Sequence, residues 1–414
     1  MEVTTTEHLL AALRKSRLLT DAELSTAYQL VPAAKDEPKL LARKLVRQGL
    51  VTIWQAQQLL AGRSAFHLGR YRLLERIGQG HFGVVFRAQQ MDMRRVVALK
   101  VLAGAALSEP HTVARFEREM RVAAQLEHPN LVRAYDAENA SGVHFLVMEY
   151  VPGRNFKCWI DEYGRLPIDW ACECIRQAAI ALEYVRLQGL VHRDIKPSNL
   201  MVSSADTTSA PSVKILDLGL ARVVSEELEA AELRLTKPGH VLGTIDYISP
   251  EQVESTKDAD IRSDIYSLGC TLFKALTGEV PFAGTGVAEK IMARLNGTAP
   301  RLTSLRDEVP AELDELCAKL LARDPAERFQ TPGEVAAALT PFGLTGEAVV
   351  LHSERPVADK NGGTLVGRPA QLRIRELESR VADLERRLEE IERSGGVKQP
   401  VFQRRLTKSK VRAS

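Results

Sequence analysis

The sequence predicts an α+β protein with two lobes, a small lobe rich in β-strands and a larger helical lobe that follows it. Short β-rich segments alternate with turns between residues 71 and 148, and one helix around Ser108–Gln125 interrupts them. Beyond Asp169 the pattern is mostly helical, with long runs such as Ala171–Arg186 and Ser263–Thr277. The four expected strands are Tyr71–Ile77, Val84–Gln89, Val96–Val101 and His144–Met148. Two lobes of this kind favour a cleft between them, where ligand sites commonly form.

The bulk composition excludes several classes of protein. The chain has 414 residues, of which 45% are hydrophobic and 26% charged, and its net charge of +3 is too small to predict nucleic-acid binding. The five cysteines show no C-x-x-C spacing, so neither a disulfide framework nor a zinc site is expected. Neither a signal peptide nor a transmembrane segment is apparent. We therefore expect a soluble, cytoplasmic protein.

Residues 1–66 are expected to form a small helical module of three or four short helices. Two capping boxes mark helix starts, one at Thr20 with Glu23 and the other at Thr52 with Gln55. No residue in this segment points to chemistry, so the sequence assigns it no role.

The C-terminal part is predicted to contain a linker (343–369), a short coiled-coil helix (370–393) and a basic disordered tail (394–414). The helix has a heptad stripe of apolar residues, namely Ile374, Leu377, Val381, Leu384, Leu388 and Ile391. Two interpretations stay open: a homodimer formed through 374–391, or a single amphipathic helix that docks on the helical lobe.

The first chemical motif is a glycine-rich run after the first strand of the β-rich lobe. Gly78, Gly80 and Gly83 follow a G-x-G-x-x-G-x-V pattern, and glycine lets backbone amides approach a phosphate closely. A dinucleotide-binding fingerprint has the same glycine spacing, but there a helix follows. Here the strand Val84–Gln89 follows, which favours a β-hairpin that covers phosphates.

Lys100 ends the strand that comes next, and its ammonium group can reach the α- and β-phosphates of a nucleotide. A flexible lysine needs an acidic partner to hold it in place. Glu119, in the helix expected around 108–125, is the preferred candidate, and Glu117 is a rival at similar spacing.

The most informative segment is Val191–Leu200, in which a carboxylate, a cation and an amide lie within six positions. Asp194 can accept a hydrogen bond from a substrate hydroxyl, and Lys196 can offset charge on a phosphoryl group in transfer. Asn199 offers an amide oxygen, a hard ligand suited to Mg²⁺, and Asp217 supplies a second hard ligand further along. This set meets the needs of phosphoryl transfer.

These motifs, in this order, resemble the eukaryotic-type (Hanks-type) protein kinase family, as found in bacterial Ser/Thr kinases. The resemblance covers roughly residues 71–340 and implies a two-lobed protein kinase domain, which we place at 67–342. It implies ATP as phosphoryl donor, Mg²⁺ or Mn²⁺ as metal, and unidentified protein substrates. The alternative is a pseudokinase scaffold that binds ATP or partners without turnover, although none of the charged catalytic positions is missing.

The resemblance also implies a role for each matching residue. Asp194 would be the catalytic base beside Lys196, whose presence in D-x-K-P-x-N is similar to Ser/Thr rather than Tyr kinases. Asn199 and Asp217 would hold the metal. The expected nucleotide-binding residues are Ile77, Gly78, Gly80, Gly83, Val85, Lys100 with its partner Glu119, and Glu149 to Val151 as the adenine-binding hinge after Met148.

Structural and regulatory roles follow from the same resemblance. Asp264 would brace the catalytic loop, and Glu251 would pair with Arg328. Thr244 matches the loop that contacts the substrate next to the phosphorylated position. Thr236 is similar to activation-loop phosphorylation sites, whose phosphate Arg193 would bind.

The sequence departs from the family pattern at three places. Leu218 stands where D-F-G has phenylalanine, and Ser249 stands where A-P-E has alanine. A small insertion at Ser203–Pro211 is expected to form a surface loop without a catalytic role.

Overall fold

A computed structural model describes residues 3–34, 37–80, 83–102, 125–216, 245–254 and 259–344. The helix expected around 108–125 lies outside these residues, as do the predicted coiled-coil helix, the basic tail and nearly all of the linker. Two of the sequence expectations, the α-helix bearing Glu119 and the stripe 374–391, therefore stay predictions.

The first 66 residues contain four helices around a small apolar core. These are α1 (Thr6–Ser16), α2 (Asp21–Gln29), α3 (Pro38–Arg47) and α4 (Ile53–Leu60). Both predicted capping boxes are present, at the starts of α2 and α4. Leucines from three of the helices are fully buried, namely Leu9, Leu13, Leu41, Leu45 and Leu59.

A six-stranded antiparallel sheet forms the next part of the chain. Its strands are β1 (His67–Leu68), β2 (Tyr71–Gly80), β3 (Gly83–Gln90), β4 (Arg95–Leu102), β5 (Ala134–Ala140) and β6 (Val143–Glu149), in the order β1-β2-β3-β4-β6-β5. The four predicted strands correspond to β2, β3, β4 and β6. β5 was not expected from the sequence, because it carries three acidic or amide side chains and little apolar surface.

The helical lobe follows. It contains α5 (Phe156–Tyr163), α6 (Ile168–Leu187), α7 (Pro250–Glu254), α8 (Ile261–Thr277), α9 (Val287–Asn296), α10 (Ala311–Leu320) and α11 (Pro332–Leu339). A three-stranded sheet lies beside these helices, formed by β7 (Arg154–Asn155), β8 (Leu200–Ser203) and β9 (Ser212–Ile215). The predicted insertion connects β8 to β9. In the described part of the chain, no helix combines the length and apolarity needed to span a bilayer.

The core of this lobe lies between α6 and α8. α8 is buried nearly all round, with Asp264 among its fully buried residues, and α6 buries eleven of its residues. Such helices are typical of the centre of a domain. The loop at residues 188–199, which leads from α6 to β8, therefore starts from a helix that is packed on several sides.

The hairpin of β2 and β3 requires glycine at one position in particular. Gly83 has φ of +142°, and a Cβ there would lie 1.8 Å from the carbonyl oxygen of Val101. Gly78 has no such constraint, since an added Cβ would make an ordinary contact of 3.6 Å with Val85. Glycine at position 83 is therefore required by the close approach of β3 to β4.

Gly83→Ala is expected to destabilise the hairpin, because the backbone must move to relieve the clash. We expect a loss of about 1–3 kcal/mol in the free energy of unfolding and faster amide exchange in β2 and β3. Gly78→Ala is the matched control and should change the free energy of unfolding by less than about 1 kcal/mol. Equal stability and equal exchange in the two variants would contradict the geometry.

Candidate active site

The carboxylate of Asp194 lies in the loop between α6 and β8 and is held on both oxygens. Lys196 Nζ donates to Oδ1 at 2.7 Å, and Asn199 Nδ2 donates to Oδ2 at 2.8 Å. Asn199 Nδ2 also donates to the backbone carbonyl of Asp194 at 2.8 Å. The three polar residues that the sequence singled out in this segment are thus in direct contact, with the carboxylate partly exposed.

Asp264 supports this loop from the core of the helical lobe. Its Oδ2 accepts the backbone N–H of His192 and its Oδ1 accepts that of Arg193, each at 2.7 Å. The carboxyl is fully buried, and burial raises its pKa, while its contacts with His192 and Arg193 offset part of that rise. The side chain lies in the first turn of α8, where the helix dipole favours negative charge.

The backbone of Arg193 is strained and held from several sides. Its φ is +67°, a conformation that non-glycine residues rarely adopt. Its N–H donates to Asp264, its carbonyl accepts Gln252 Nε2 at 3.1 Å, and its guanidinium donates to the carbonyl of Ala259 at 3.1 Å. Strain of this kind persists where the surroundings over-determine it, as they do next to Asp194. Gln252 was not expected in this role, since nothing in the sequence around it indicates a contact with Arg193.

His192 connects the loop to the segment that leads to Asp217. Its Nδ1 accepts the N–H of Asp194 at 3.2 Å, which leaves Nε2 to donate to the carbonyl of Leu216 at 2.8 Å. Leu216 in turn donates its N–H to the carbonyl of Asn199 at 2.8 Å. Leu216 is therefore fixed against the Asp194 loop, and Asp217, which follows it, lies outside the described residues.

The register of the large sheet aligns three of the predicted nucleotide-binding residues in adjacent strands. Gly78 of β2 pairs with Val85 of β3, and Val85 pairs with Lys100 of β4. Lys100 is only 5% exposed, so its aliphatic stem is enclosed by the lobe. Ile77 is 44% exposed. Glu119 lies outside the described residues, so its pairing with Lys100 stays a prediction.

The predicted hinge connects β6 to the helical lobe. Glu149 ends β6, and its side chain accepts Lys214 Nζ from β9 at 3.1 Å. Its backbone N–H donates to the carbonyl of Arg133 at 2.9 Å. The carboxylate thus ties the two lobes together, and the role of Glu149 to Val151 as an adenine-binding hinge stays a prediction.

The predicted pair of Glu251 and Arg328 is confirmed. Arg328 is fully buried and donates from both terminal nitrogens to the carboxylate, at 2.7 and 2.9 Å, and Ser263 Oγ adds a third hydrogen bond at 2.7 Å. Burial opposes ionisation of Glu251, but the hydrogen bonds and charge of Arg328 outweigh it and hold the pKa of that carboxyl below its usual value. The pair fixes the start of α7, from which Gln252 reaches Arg193.

The donor set fits a hard divalent cation in part. The hydrogen bonds from the Asn199 side chain to Asp194 both use its nitrogen, so among the described residues its amide oxygen remains available for a metal. The other predicted ligand, Asp217, lies outside the described residues, as do Thr236 and Thr244. Their placement therefore stays a prediction.

Comparison with known proteins points to one family. The sequence matches the protein kinase domain over residues 71–338, which is more than half of the chain. The serine/threonine-protein kinase PknB of Mycobacterium leprae is 35% identical over 274 residues, covering 65% of this chain and 42% of the relative. A probable serine/threonine-protein kinase PknB of Lactococcus lactis is 34% identical over 300 residues, covering 70% and 46%.

The fold agrees with these matches. The crystal structure of the Mycobacterium tuberculosis PknI kinase domain superposes with a TM-score of 0.51 and 26% identity, covering 66% of this chain and 97% of that one. The chain spans less than half the length of the two PknB relatives that it matches. With its β-rich lobe, helical lobe and the loop around Asp194, the chain belongs to the protein kinase domain family.

Proposed function

We propose that this protein transfers the γ-phosphoryl group of ATP to Ser and Thr hydroxyls of protein substrates. The observation that carries the proposal is the Asp194 carboxylate, held at 2.7 Å by Lys196 and at 2.8 Å by Asn199 in a loop that the core of the helical lobe supports. The names of the PknB relatives support a serine/threonine kinase, for which we propose a role in signalling. No observation favours a pseudokinase.

In the proposed mechanism, Asp194 accepts a hydrogen bond from the substrate hydroxyl and orients its oxygen toward the phosphate. Lys196 lies 2.7 Å from that carboxylate and offsets negative charge on the phosphoryl group in transfer. Asn199 and Asp217 would hold Mg²⁺, or Mn²⁺ in its place, which would supply positive charge beside the phosphates. By the family resemblance, Thr244 would contact Asp194 and Lys196 beside the substrate.

The nucleotide is held from the β-rich lobe and the hinge. The backbone amides at Gly78, Gly80 and Gly83 would approach the phosphates. Lys100 would contact them from β4, with Glu119 as its predicted partner. Ile77 and Val85 cover the adenosine, while the backbone of Glu149 to Val151 binds the adenine edge. The register that aligns Gly78, Val85 and Lys100 supports this arrangement.

Asp194→Asn is expected to lower kcat by about 100-fold or more, because the amide cannot accept the hydroxyl proton. ATP affinity should change by less than about 3-fold, since the predicted nucleotide contacts lie elsewhere. Steady-state assays with labelled ATP, Mg²⁺ and a generic acceptor protein give kcat, and nucleotide titration gives affinity. Asp161→Asn, on an exposed turn of α5, is the control. Wild-type turnover in the Asp194 variant would overturn the mechanism.

Regulation by autophosphorylation is part of the same proposal. Thr236 would receive a phosphate, and Arg193, whose backbone already adopts a strained conformation beside Asp194, would bind it. A dimer formed through the stripe 374–391 would raise the local concentration of kinase and favour reaction in trans. The five cysteines, all free in the structure, fit a reducing compartment such as the cytoplasm.

Incubation with Mg-ATP is expected to place phosphate on Thr236, as read by mass spectrometry. A chain that ends at Gly367 should react more slowly at low protein concentration, and in light scattering it should be a monomer while the full chain is a dimer. An unmodified loop between Leu220 and Thr244 would contradict the phosphorylation site. If both chains are monomers in light scattering, the proposed dimer is ruled out.

A further inference from the structure

β2 is an edge strand over most of its length. Its pairing with β1 involves only Tyr71 and Arg72, so within the described residues the rest of the strand has a β-strand partner on one side, β3. Edge strands leave backbone groups that need other partners. Here the carbonyls of Leu73 and Leu74 receive hydrogen bonds from the helices of the first 66 residues.

The donors are the two side chains that begin α4. Thr52 Oγ1 donates to the carbonyl of Leu74 at 2.5 Å, and Gln55 Nε2 donates to that of Leu73 at 2.7 Å. The same hydroxyl accepts the N–H of Gln55, and the amide oxygen of Gln55 accepts the N–H of Thr52. Each side chain therefore uses its acceptor to cap its own helix and its donor to hold the strand.

The hydrogen bonds from Thr52 and Gln55 reach β2 where its pairing with β3 is irregular. The register with β3 shifts between Leu73 and Glu75, and again between Arg76 and Gly78. Such irregularities bend a strand and increase its twist, so the ladder alone does not fix the direction of the strand beyond them. Leu74 precedes Gly78 by four residues, a distance of about 13 Å along an extended strand. How Leu74 is held thus affects where the glycines lie.

Aromatic packing joins the same helix to the other strand of the hairpin. The ring of Trp54 lies 5.8 Å from Phe66 and 5.7 Å from Phe86, in edge-on arrangements. Phe86 is on β3, directly opposite Arg76 of β2. α4 therefore contacts both strands of the hairpin, one through hydrogen bonds and the other through apolar surface.

We propose that Thr52 and Gln55 are positioning residues for nucleotide binding. By fixing the irregular point of β2 at Leu73 and Leu74, they set the direction of the glycine-bearing end of the hairpin over the ATP phosphates. This inference rests on the proposed function, in which the hairpin covers those phosphates. It gives the helical segment 1–66 a part in the reaction of the lobe that follows it.

The variant Gln55→Glu tests the positioning of β2 by Gln55 separately from the capping of α4. An ionised glutamate retains the capping box but cannot donate to the carbonyl of Leu73. We expect ATP affinity to weaken by about 3- to 10-fold, the equivalent of losing roughly one hydrogen bond. Affinity for adenosine and kcat at saturating ATP should each stay within about 2-fold, because the hairpin acts on the phosphates. Calorimetric titrations with ATP and with adenosine measure the two affinities and show whether only the affinity for ATP falls.

Thr52 gives an independent pair of variants. Thr52→Ser keeps both the cap and the bond to Leu74 and should retain wild-type affinity for ATP. Thr52→Val removes the cap and the bond to Leu74, and it should weaken ATP affinity about as much as Gln55→Glu does.

The control is the reciprocal exchange in the other capping box, Glu23→Gln. The Glu23 carboxylate accepts hydrogen bonds from the backbone and side chain of Thr20, which lower its pKa, with a smaller contribution from the charge of Arg72. The exchange perturbs the same module and a nearby charge but leaves the hydrogen bonds of Thr52 and Gln55 to β2 in place. ATP affinity should stay within about 2-fold of wild type.

Three outcomes would overturn the inference. These are an unchanged ATP affinity in both Gln55→Glu and Thr52→Val, equal weakening of ATP and adenosine, and an equal loss in Glu23→Gln. Failure of the unaltered protein to bind ATP would instead contradict the proposed function.

Discussion

The whole candidate site depends on one buried carboxylate, that of Asp264. It accepts two adjacent backbone N–H groups at 2.7 Å, 71 and 72 residues away in sequence, from the centre of the helical lobe. Taking a carboxylate out of water is costly, and the raised pKa of Asp264 reflects that cost. The two hydrogen bonds offset it only if the loop stays where it is, so the folded core and the geometry beside Asp194 are coupled.

Starting from Asp264, further contacts hold the other residues of the loop in place. The strained backbone of Arg193 is tolerated because Asp264 and Gln252 bond its N–H and carbonyl, while Ala259 holds its guanidinium. His192 then fixes Leu216, and Lys196 and Asn199 fix the carboxylate of Asp194. Catalytic power in phosphoryl transfer comes mostly from positioning and electrostatics, so a loop with few alternative conformations is the main contribution this chain can make.

The sequence predicted the structure correctly where the interacting residues lie close together in the chain. The capping boxes at Thr20 and Thr52, the strands with alternating apolar residues and the contact set around Asp194 all follow from residues within a few positions of one another. Long-range pairs such as Glu251 with Arg328 followed from the family resemblance, because nothing in either residue's neighbourhood identifies its partner 77 positions away. Gln252 and β5 were not predicted for the same reason. The bond of Gln252 to a distant carbonyl has no local sequence pattern, and a polar edge strand lacks the alternation of apolar residues that predicts a strand. The contacts of Thr52 and Gln55 with β2 were also invisible, although the sequence marked both residues as a helix start.

The most direct measurement is the turnover of Asp264→Asn, compared with the same exchange at Asp314. Asp314 is also buried and accepts bonds from Arg301, Leu302 and Thr303, but it contacts none of the loop. An asparagine keeps one acceptor and faces the second N–H with its amide nitrogen, a loss of about 1–3 kcal/mol at either site. If Asp264 holds the catalytic loop, kcat per folded molecule falls by roughly 10- to 100-fold in that variant alone. Full turnover in folded Asp264→Asn, or an equal fall in Asp314→Asn, would contradict the account.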